Sequence, residues 1–492
     1  MLSYENIQLD VPYEVICIES IYFIAQMNDH QYLTLDVTIE ATKLEEYITN
    51  STEGKQIKVL LDGKIIYVGK VIKLQAKYNR RIARLIITAA SYSYDLDLEK
   101  HQAVFNNLNM TYDEVIKKVL SNYKKKDSLD KVTEGKCIPH LLVQYKETDW
   151  EFLKRLATHF ETVLEVDAVA PSGCIYFGYE PRPIEKEAHQ GTDEVFEGTY
   201  AFKDSMINYE TFHKIKGLTE EDLYEQSFIG WKVESKVYVP LGMEITYDGK
   251  KVCVAKVEMQ SIRGEIIFYY ELKFRKAIRT NYTFNNKLQG ASLEAIVKKR
   301  KDNEMQLHFC VNKTYEANGA DQWFQYGREV SNFYCMPVEE SKVHVLFLVG
   351  DEQKAIISHG IRIASPKEKY YNKIANPDHK SYSTVDGQEL SMTPDAVQLA
   401  EDDGKKIQFT LTKEGNVSIT AQTINIYANG KMEVGTKAPY HPKSNPTKPK
   451  TITISVKNKL VVTKSPNDSV NVSHSIELNE QNHMRGNVRL QE

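Results

Sequence analysis

Apolar and polar residues alternate along most of this chain, and most plainly between Lys405 and Leu478. Ile407, Phe409 and Leu411 fall on one side of an extended backbone, followed by Val417 and Ile419, Ile424 and Ile426, Met432 and Val434, and Ile452, Ile454 and Val456. A period of two with one apolar side marks half-buried strands. Glu414-Gly415-Asn416, Asn429-Gly430 and Ser465-Pro466-Asn467 supply the turns between runs. The apolar residues are too thinly spread to close a core within one chain. A ladder of this kind must cover its apolar side with copies of itself. The pattern predicts an intertwined β stem and an oligomer. Pro439, Pro442, Pro446 and Pro449 interrupt it, and so many prolines cannot supply a full hydrogen-bond ladder. That segment is expected as an extended crossing or a surface loop.

Upstream the same period recurs in blocks. Over 1–100, Leu33, Leu35, Val37 and Ile39 alternate; Lys55 to Leu61 runs into Asp62-Gly63, a hairpin signal; and strands are expected at Lys64–Gln75 and Arg81–Ala90. Over 101–196 the period changes. Thr111-Tyr112-Asp113-Glu114 and Thr148-Asp149-Trp150-Glu151 are capping boxes, each followed by apolar residues at helical spacing: Val115, Ile116, Val119 and Leu120, then Leu153, Ala157 and Phe160. A strand through Val163, Glu165 and Asp167 and its partner Cys174–Tyr179 complete an α/β insertion. Over 197–285 the alternation resumes with an internal echo. Asp62-Gly63-Lys64 and the Val68, Lys70 and Val71 that follow match Asp248-Gly249-Lys250, Val254, Lys256 and Val257. The echo predicts two related tube-like β-barrels. Over 286–368, Met305, Leu307, Phe309 and Val311, then Val343, Val345 and Phe347, predict a five-strand barrel of OB type. Ser365 to His379, with Pro366 and Pro377, reads as a linker, and 369–492 as an intertwined β-prism or β-helix stem and tip. The expected class is therefore mainly β.

Bulk composition narrows the partners. A net charge of −4 over 492 residues does not favour nucleic acid or an anionic membrane. No apolar run approaches the roughly 18 residues of a membrane span. Met1-Leu2-Ser3-Tyr4-Glu5 lacks a signal peptide's basic and apolar regions, so assembly in the cytoplasm is expected. Cys17, Cys137, Cys174, Cys253, Cys310 and Cys335 form no C-x-x-C pair and read as free thiols.

The order of parts, together with three motifs, resembles the VgrG family of spike proteins, related to the hub and spike of contractile phage tails. Gln144 to Leu156, QYKETDWEFLKRL, is similar to the family's Q-Y-x-E-[ST]-D-[FW]-x-F-[LV]-x-R-L run. Trp323-Phe324, Pro337-Val338 and Val343 to Asp351 resemble its OB strand pair, and Asn416-Val417-Ser418-Ile419-Thr420-Ala421 its N-V-x-I-T-A prism repeat. The resemblance implies a non-enzymatic homotrimer joining a six-fold inner tube to a puncturing needle. It implies as partners the tube and baseplate proteins, a PAAR-like tip protein or effector, and a target cell envelope. Two related barrels per chain in a trimer would present six similar modules to a six-fold tube. Type VI secretion, an extracellular injection particle, an R-type bacteriocin and a phage tail remain open, each a particle delivered out of the cell on contraction. The rival reading is a β-modular cell-wall hydrolase or carbohydrate-binding protein.

A hydrolase would need two carboxylates flanking a sugar bond. Glu147 with Asp149, and Glu220, Glu221 and Asp222, are the candidate pairs. Acids at a helix N-terminus, favoured by its dipole, explain the first pair, and a solvated first turn explains the second. There is no G-x-S-x-G, H-E-x-x-H or Walker A run. His213, His308 and His344 stand alone on expected strands. His474 and His483 could each give three ligands on a three-fold axis, but nothing fixes either ring, and no H-x-H pair is present. Arg80-Arg81 and Lys124-Lys125-Lys126 read as solvated loops. No catalytic residue, cofactor or metal is assigned.

Overall fold

The computed structural model describes residues 2–50, 54–79, 82–123, 127–167, 169–170, 173–183, 196–203, 229–314, 321–327, 334–361, 376–384, 386–401, 406–427, 429, 460–461 and 477–478. His213, the acids at 220–222, Arg80-Arg81, Lys124–Lys126, Met432, Val434, the four prolines at 439–449, Ile452–Val456, His474, His483 and most of the 365–379 linker lie outside these residues. Strands hold 51% of the chain and helices 14%, so the fold is mainly β. Two compact units divide it, Met1–Ile363 and Ala364–Glu492.

The first unit opens with six strands and a short helix: β1 (Ile7–Asp10), β2 (Val15–Gln26), β3 (Tyr32–Ile39), α1 (Leu44–Thr49), β4 (Gln56–Leu61), β5 (Lys64–Asn79) and β6 (Ile82–Ala90). In β3 every second residue is buried, so Leu33, Leu35, Val37 and Ile39 enter the core, as their alternation requires. Asp62 and Gly63 turn the β4–β5 hairpin with φ of +48° and +76°, the left-handed pair a type I′ turn needs. The insertion follows: β7 (Lys100–Phe105), α2 (Tyr112–Leu120), β8 (Ser128–Asp130), β9 (Leu142–Thr148), α3 (Asp149–Thr158), β10 (Leu164–Val166) and β11 (Ile175–Phe177). Both expected capping boxes form, Thr111 with Glu114 and Thr148 with Glu151.

Then come β12 (Arg182–Pro183), β13 (Phe196–Lys203), β14 (Ile229–Ser235), β15 (Met243–Tyr247), β16 (Lys250–Ile262) and β17 (Glu265–Lys273). Asp248 and Gly249 repeat the left-handed turn, with φ of +49° and +67°. The repeat extends well beyond the turn. The first six strands lie in the order β1-β4-β5-β6-β3-β2, and the second six in the order β12-β15-β16-β17-β14-β13. The two sets join where β2 pairs antiparallel with β16, giving one twelve-stranded sheet. Its concave side encloses a single core, with Phe23, Leu35, Tyr67 and Leu85 from the first set and Val257, Met259, Phe268 and Tyr270 from the second. The sequence echo understates this likeness. The two sets drift out of step between turn and bulge, because the β5 arm is longer.

The unit ends with β18 (Ser292–Lys301), β19 (Glu304–Phe309), β20 (Trp323–Gln325), β21 (Lys342–Phe347) and β22 (Ala355–Ile361). They lie in the order β20-β19-β18-β21-β22, and a parallel bridge from Tyr326 to Ile357 joins the two ends. Phe309, Phe324, Phe347, Leu307 and Val345 fill the interior. Val311 falls beyond β19, because Phe309 and Asn312 already close a turn there.

The second unit has β23 (Lys380–Ser383), β24 (Gln388–Met392), β25 (Ala396–Glu401), β26 (Ile407–Thr412) and β27 (Val417–Thr420) in one antiparallel sheet, and β28 (Leu460–Val461) paired with β29 (Glu477–Leu478). Ile424 and Ile426, expected in a strand, lie in extended chain with no strand partner among the described residues. Alternation alone does not supply a neighbouring edge.

Two glycines separate conformational from packing constraints. A Cβ on Gly249 meets nothing within 4 Å but sits at φ +67°. A Cβ on Gly69 would lie against the Tyr67 hydroxyl and 2.5 Å from the Ala90 carbonyl oxygen. Gly249→Ala should cost about 1 kcal/mol, and Gly69→Ala about 3 kcal/mol through overpacking. Thermal denaturation of the two variants side by side checks the ranking.

Candidate functional site

The Gln144–Leu156 motif is where most buried polar chemistry collects. It starts on β9, whose alternate residues face two ways: Leu142 packs with α2 and α3, while Val143 packs into the β18–β22 core. The β7–β9 register slips at Lys146, which takes φ +53°. A bulge of this kind re-aims the side chains beyond it, and Glu147 turns inward. Thr148 then caps α3 by accepting from the Glu151 amide at 3.0 Å.

Arg155, 4% exposed, is held by two carboxylates from distant parts of the chain. Its Nε and Nη2 donate to Glu147 at 2.8 and 2.9 Å, its Nη1 donates to Glu352 at 2.8 Å, and Nη2 also donates to the Val143 carbonyl at 2.7 Å. The two carboxylates outweigh burial and push the guanidinium pKa up. Glu352 lies just before β22, so α3 is tied directly to the five-strand barrel. Asp149, also buried, accepts from Gln144 Nε2 and the Tyr123 hydroxyl, both at 2.7 Å. Asp149 raises the Tyr123 phenol beyond what burial alone does.

On the other side, α3 meets the twelve-stranded sheet. Trp150 lies against the His30 ring with centroids 4.4 Å apart. His30 is buried and shares a hydrogen bond with Ser93 at 2.8 Å. Burial holds its pKa down at about 4, against the pull of Asp97. Asn28 and Leu164 exchange hydrogen bonds at 2.8 and 2.7 Å, and Gln31 Nε2 donates to the Val166 carbonyl at 2.9 Å. Farther along, Arg182 pairs with buried Glu165. α3 and the strand that follows it therefore join the five-strand sheet to the twelve-stranded one.

As expected, Asp149 stands in the first turn of α3 and Glu147 directly precedes its cap, Thr148. Both are also buried: Glu147 pairs with Arg155, while Asp149 accepts from Gln144 and Tyr123 and lies 3.0 Å from His101 Nδ1. Neither is presented to a cleft. Over β14, β16 and β17 lies a depression of about 390 Å³ lined by Lys232, Glu234, Lys256, Glu258 and Glu271 among others. Its charges pair with one another, Lys256 with Glu258 at 2.5 Å and Lys232 with Glu271 at 3.5 Å. His308 and His344 stand on β19 and β21, far apart in role: His344 Nδ1 shares a hydrogen bond with Ser292 at 2.7 Å, while partial burial lowers the His308 pKa. Among the described residues no three His, Cys, Asp or Glu side chains group as metal ligands. No helix among them is long and apolar enough to cross a membrane. Sequence reasoning missed Arg155, Glu352 and His30. An Arg four residues after Glu151 in the motif was the available signal for the first, and Glu352 and His30 carried none.

A different surface stands out in the second unit. Across its five strands, Tyr382, Leu390, Leu399, Phe409 and Ile419 fall opposite one another in register. Met392, Val397, Leu411 and Val417 form a second row beside them. Both rows share one face of the sheet, and it lies open: Leu399 is 55% exposed, Val417 62% and Ile419 53%.

No protein-family model and no curated protein matches this sequence. Solved structures do match. One is the E. coli c3393 protein, a type VI secretion system component with structural similarity to the T4 bacteriophage tail proteins gp27 and gp5. It has a TM-score of 0.53 at 13% identity, over 72% of this chain and 99% of that one. Another is a chain of the half-lidded Francisella PdpA–VgrG complex, with a TM-score of 0.53 at 8% identity, over 84% of this chain and 87% of that one. The chain has the fold of the VgrG-like and phage-tail hub-spike proteins.

Two outcomes follow for this joint. Arg155→Met leaves Glu147 and Glu352 buried without a cation and should cost about 3–5 kcal/mol. Adding Glu147→Gln and Glu352→Gln should restore much of that loss in chemical denaturation. His159 accepts or shares a proton with the Tyr112 hydroxyl at 2.9 Å, and burial, then Arg155 and His140, lower its pKa to about 3. Below about pH 6.5 the unfolded chain protonates this ring while the folded protein does not, so stability falls as pH drops through that window. Between pH 7 and pH 5, wild type should lose on the order of 1–2 kcal/mol more than His159→Gln.

Proposed function

We propose that this protein is a non-enzymatic homotrimeric spike and hub of a contractile injection system. The observation that carries this is the open apolar face of the β23–β27 sheet. A single sheet layer with one such face is unstable in water unless another layer covers it. Three copies wrapping these faces about a common axis would make a dry-centred stem with no free apolar surface. The shared fold with the E. coli type VI secretion component and with a chain of the Francisella PdpA–VgrG complex supports this reading.

In this reading, 1–100 and 197–285 are the two hub barrels that seat on the inner tube and baseplate, with the insertion 101–196 between them. Residues 286–368 form an OB-fold; the strand order and the parallel Tyr326–Ile357 closure favour it. Residues 369–492 are the stem and tip, which meet a PAAR-like protein or effector and pierce the target envelope. The particle assembles in the cytoplasm and leaves the cell on contraction. The work is mechanical, so stiffness is the property under load.

Leu399→Asp with Ile419→Asp puts two charges per chain on the open face. Light scattering coupled to size exclusion should give three chain masses for wild type and a shift to one for the double variant. A wild-type protein that elutes as a single chain would contradict the reading.

A further inference from the structure

The internal repeat gives residues of the second set counterparts in the first, and at one place the counterparts are unequal in charge. The long strands β5 and β16 each have a bulge at the same distance from their ends, Ile72 before Asn79 and Ala255 before Ile262. Aligned on that bulge, Gln75, Ile86 and Asp36 form one row across β5, β6 and β3. Glu258, Tyr269 and Glu234 form the same row across β16, β17 and β14. Asp36 thus corresponds to Glu234, and Ile86 to Tyr269. Two residues along, Arg84 opposite Lys77 corresponds to Ile267 opposite Gln260.

In the first set the acid has its own cation. Arg84 donates to the two carboxylate oxygens of Asp36, through Nε at 2.9 Å and Nη2 at 2.6 Å, the two-pronged contact that suits this pair of groups. In the second set the acid is kept and the arginine is not. Lys232, Lys236 and Lys256 pair with other acids, Glu271 at 3.5 Å, Glu265 at 3.8 Å and Glu258 at 2.5 Å. The residue opposite Glu234 on β13 is Glu197, so that neighbour brings no cation either. No Lys or Arg among the described residues pairs with Glu234. Tyr269 adds what Ile86 does not. It stands half-buried between Glu234 and Glu258 in the ladder and lines the depression of about 390 Å³ over these strands. Burial, and then Glu234, push the Tyr269 phenol pKa up. A ring flanked by carboxylates offers a cation an aromatic face and hydrogen-bond acceptors together.

We infer that this face of β14, β17 and β16 is a docking surface for a cationic polypeptide segment, with an arginine side chain of the partner laid on Tyr269 and paired with Glu234. The partner supplies from outside the guanidinium that Arg84 supplies from within the first set. Arginine suits the place better than lysine, because its planar fork can meet a carboxylate with two donors and still stack on a ring. The strand pairing itself does not call for the second acid of the row, since Gln75 fills the place of Glu258 in the first set. The inference does not rest on the spike reading.

A dye-labelled hexa-arginine peptide, titrated with the full-length protein at low ionic strength and followed by fluorescence anisotropy, tests this. Wild type should bind it, and Glu234→Gln and Tyr269→Leu should each weaken binding about fivefold or more. Ile267→Arg puts the missing cation on the chain itself and should weaken binding at least as much. Ile267→Gln, which adds no charge, should bind like wild type. Equal affinity in wild type and every variant would show only a general attraction to a negatively charged protein and would overturn the site. Loss of binding in I267Q as well as I267R would show that packing and not charge sets the result, and would overturn it too. So would a wild-type protein that does not bind the peptide, whatever its oligomeric state.

Discussion

A β-strand exposes two rows of backbone hydrogen-bonding groups, and each must meet another strand, a side chain or water. That requirement organises this protein. Where the chain can meet it alone, it does so: β2 lies against β16, and the two ends of the β18–β22 sheet are joined through Tyr326 and Ile357. Where it cannot, surfaces are left that suit another copy. The apolar face of β23–β27 is one such place.

The buried charges around α3 serve a different purpose. Removing Arg155, Glu147 and Glu352 from water is expensive, and apolar residues of the same volume would often be at least as stable. What the cluster supplies is direction. Arg155 has a planar fork with donors on both sides, and it can be satisfied only when Glu147 and Glu352 approach from fixed angles. Trp150 on His30 and the paired hydrogen bonds of Asn28 with Leu164 set the opposite side.

Much of this was legible in the sequence. Both helices were marked by their capping boxes, and the hairpins by Asp62-Gly63 and Asp248-Gly249, because local backbone chemistry decides those features. Alternation located β3, β19, β21 and β26 for the same reason. The rest depends on distant contacts. β2 carries no clean alternation, since its first half is exposed and its second half is shared between β3 and β16. Glu352 looks like any surface acid until the fold brings it to Arg155. Ile424 and Ile426 alternate well but have no strand beside them among the described residues. The motif at 144–156 pointed to the right place for a reason that sequence could not supply: Glu147 is the partner of a buried arginine.

The proposed spike function depends on whether the chain completes itself with copies of itself. Native mass spectrometry of the full-length protein over a falling concentration series tests this directly. Particles of three chains should persist throughout, with no free single chain until the folded state is lost. Single chains that stay folded at every concentration would contradict it.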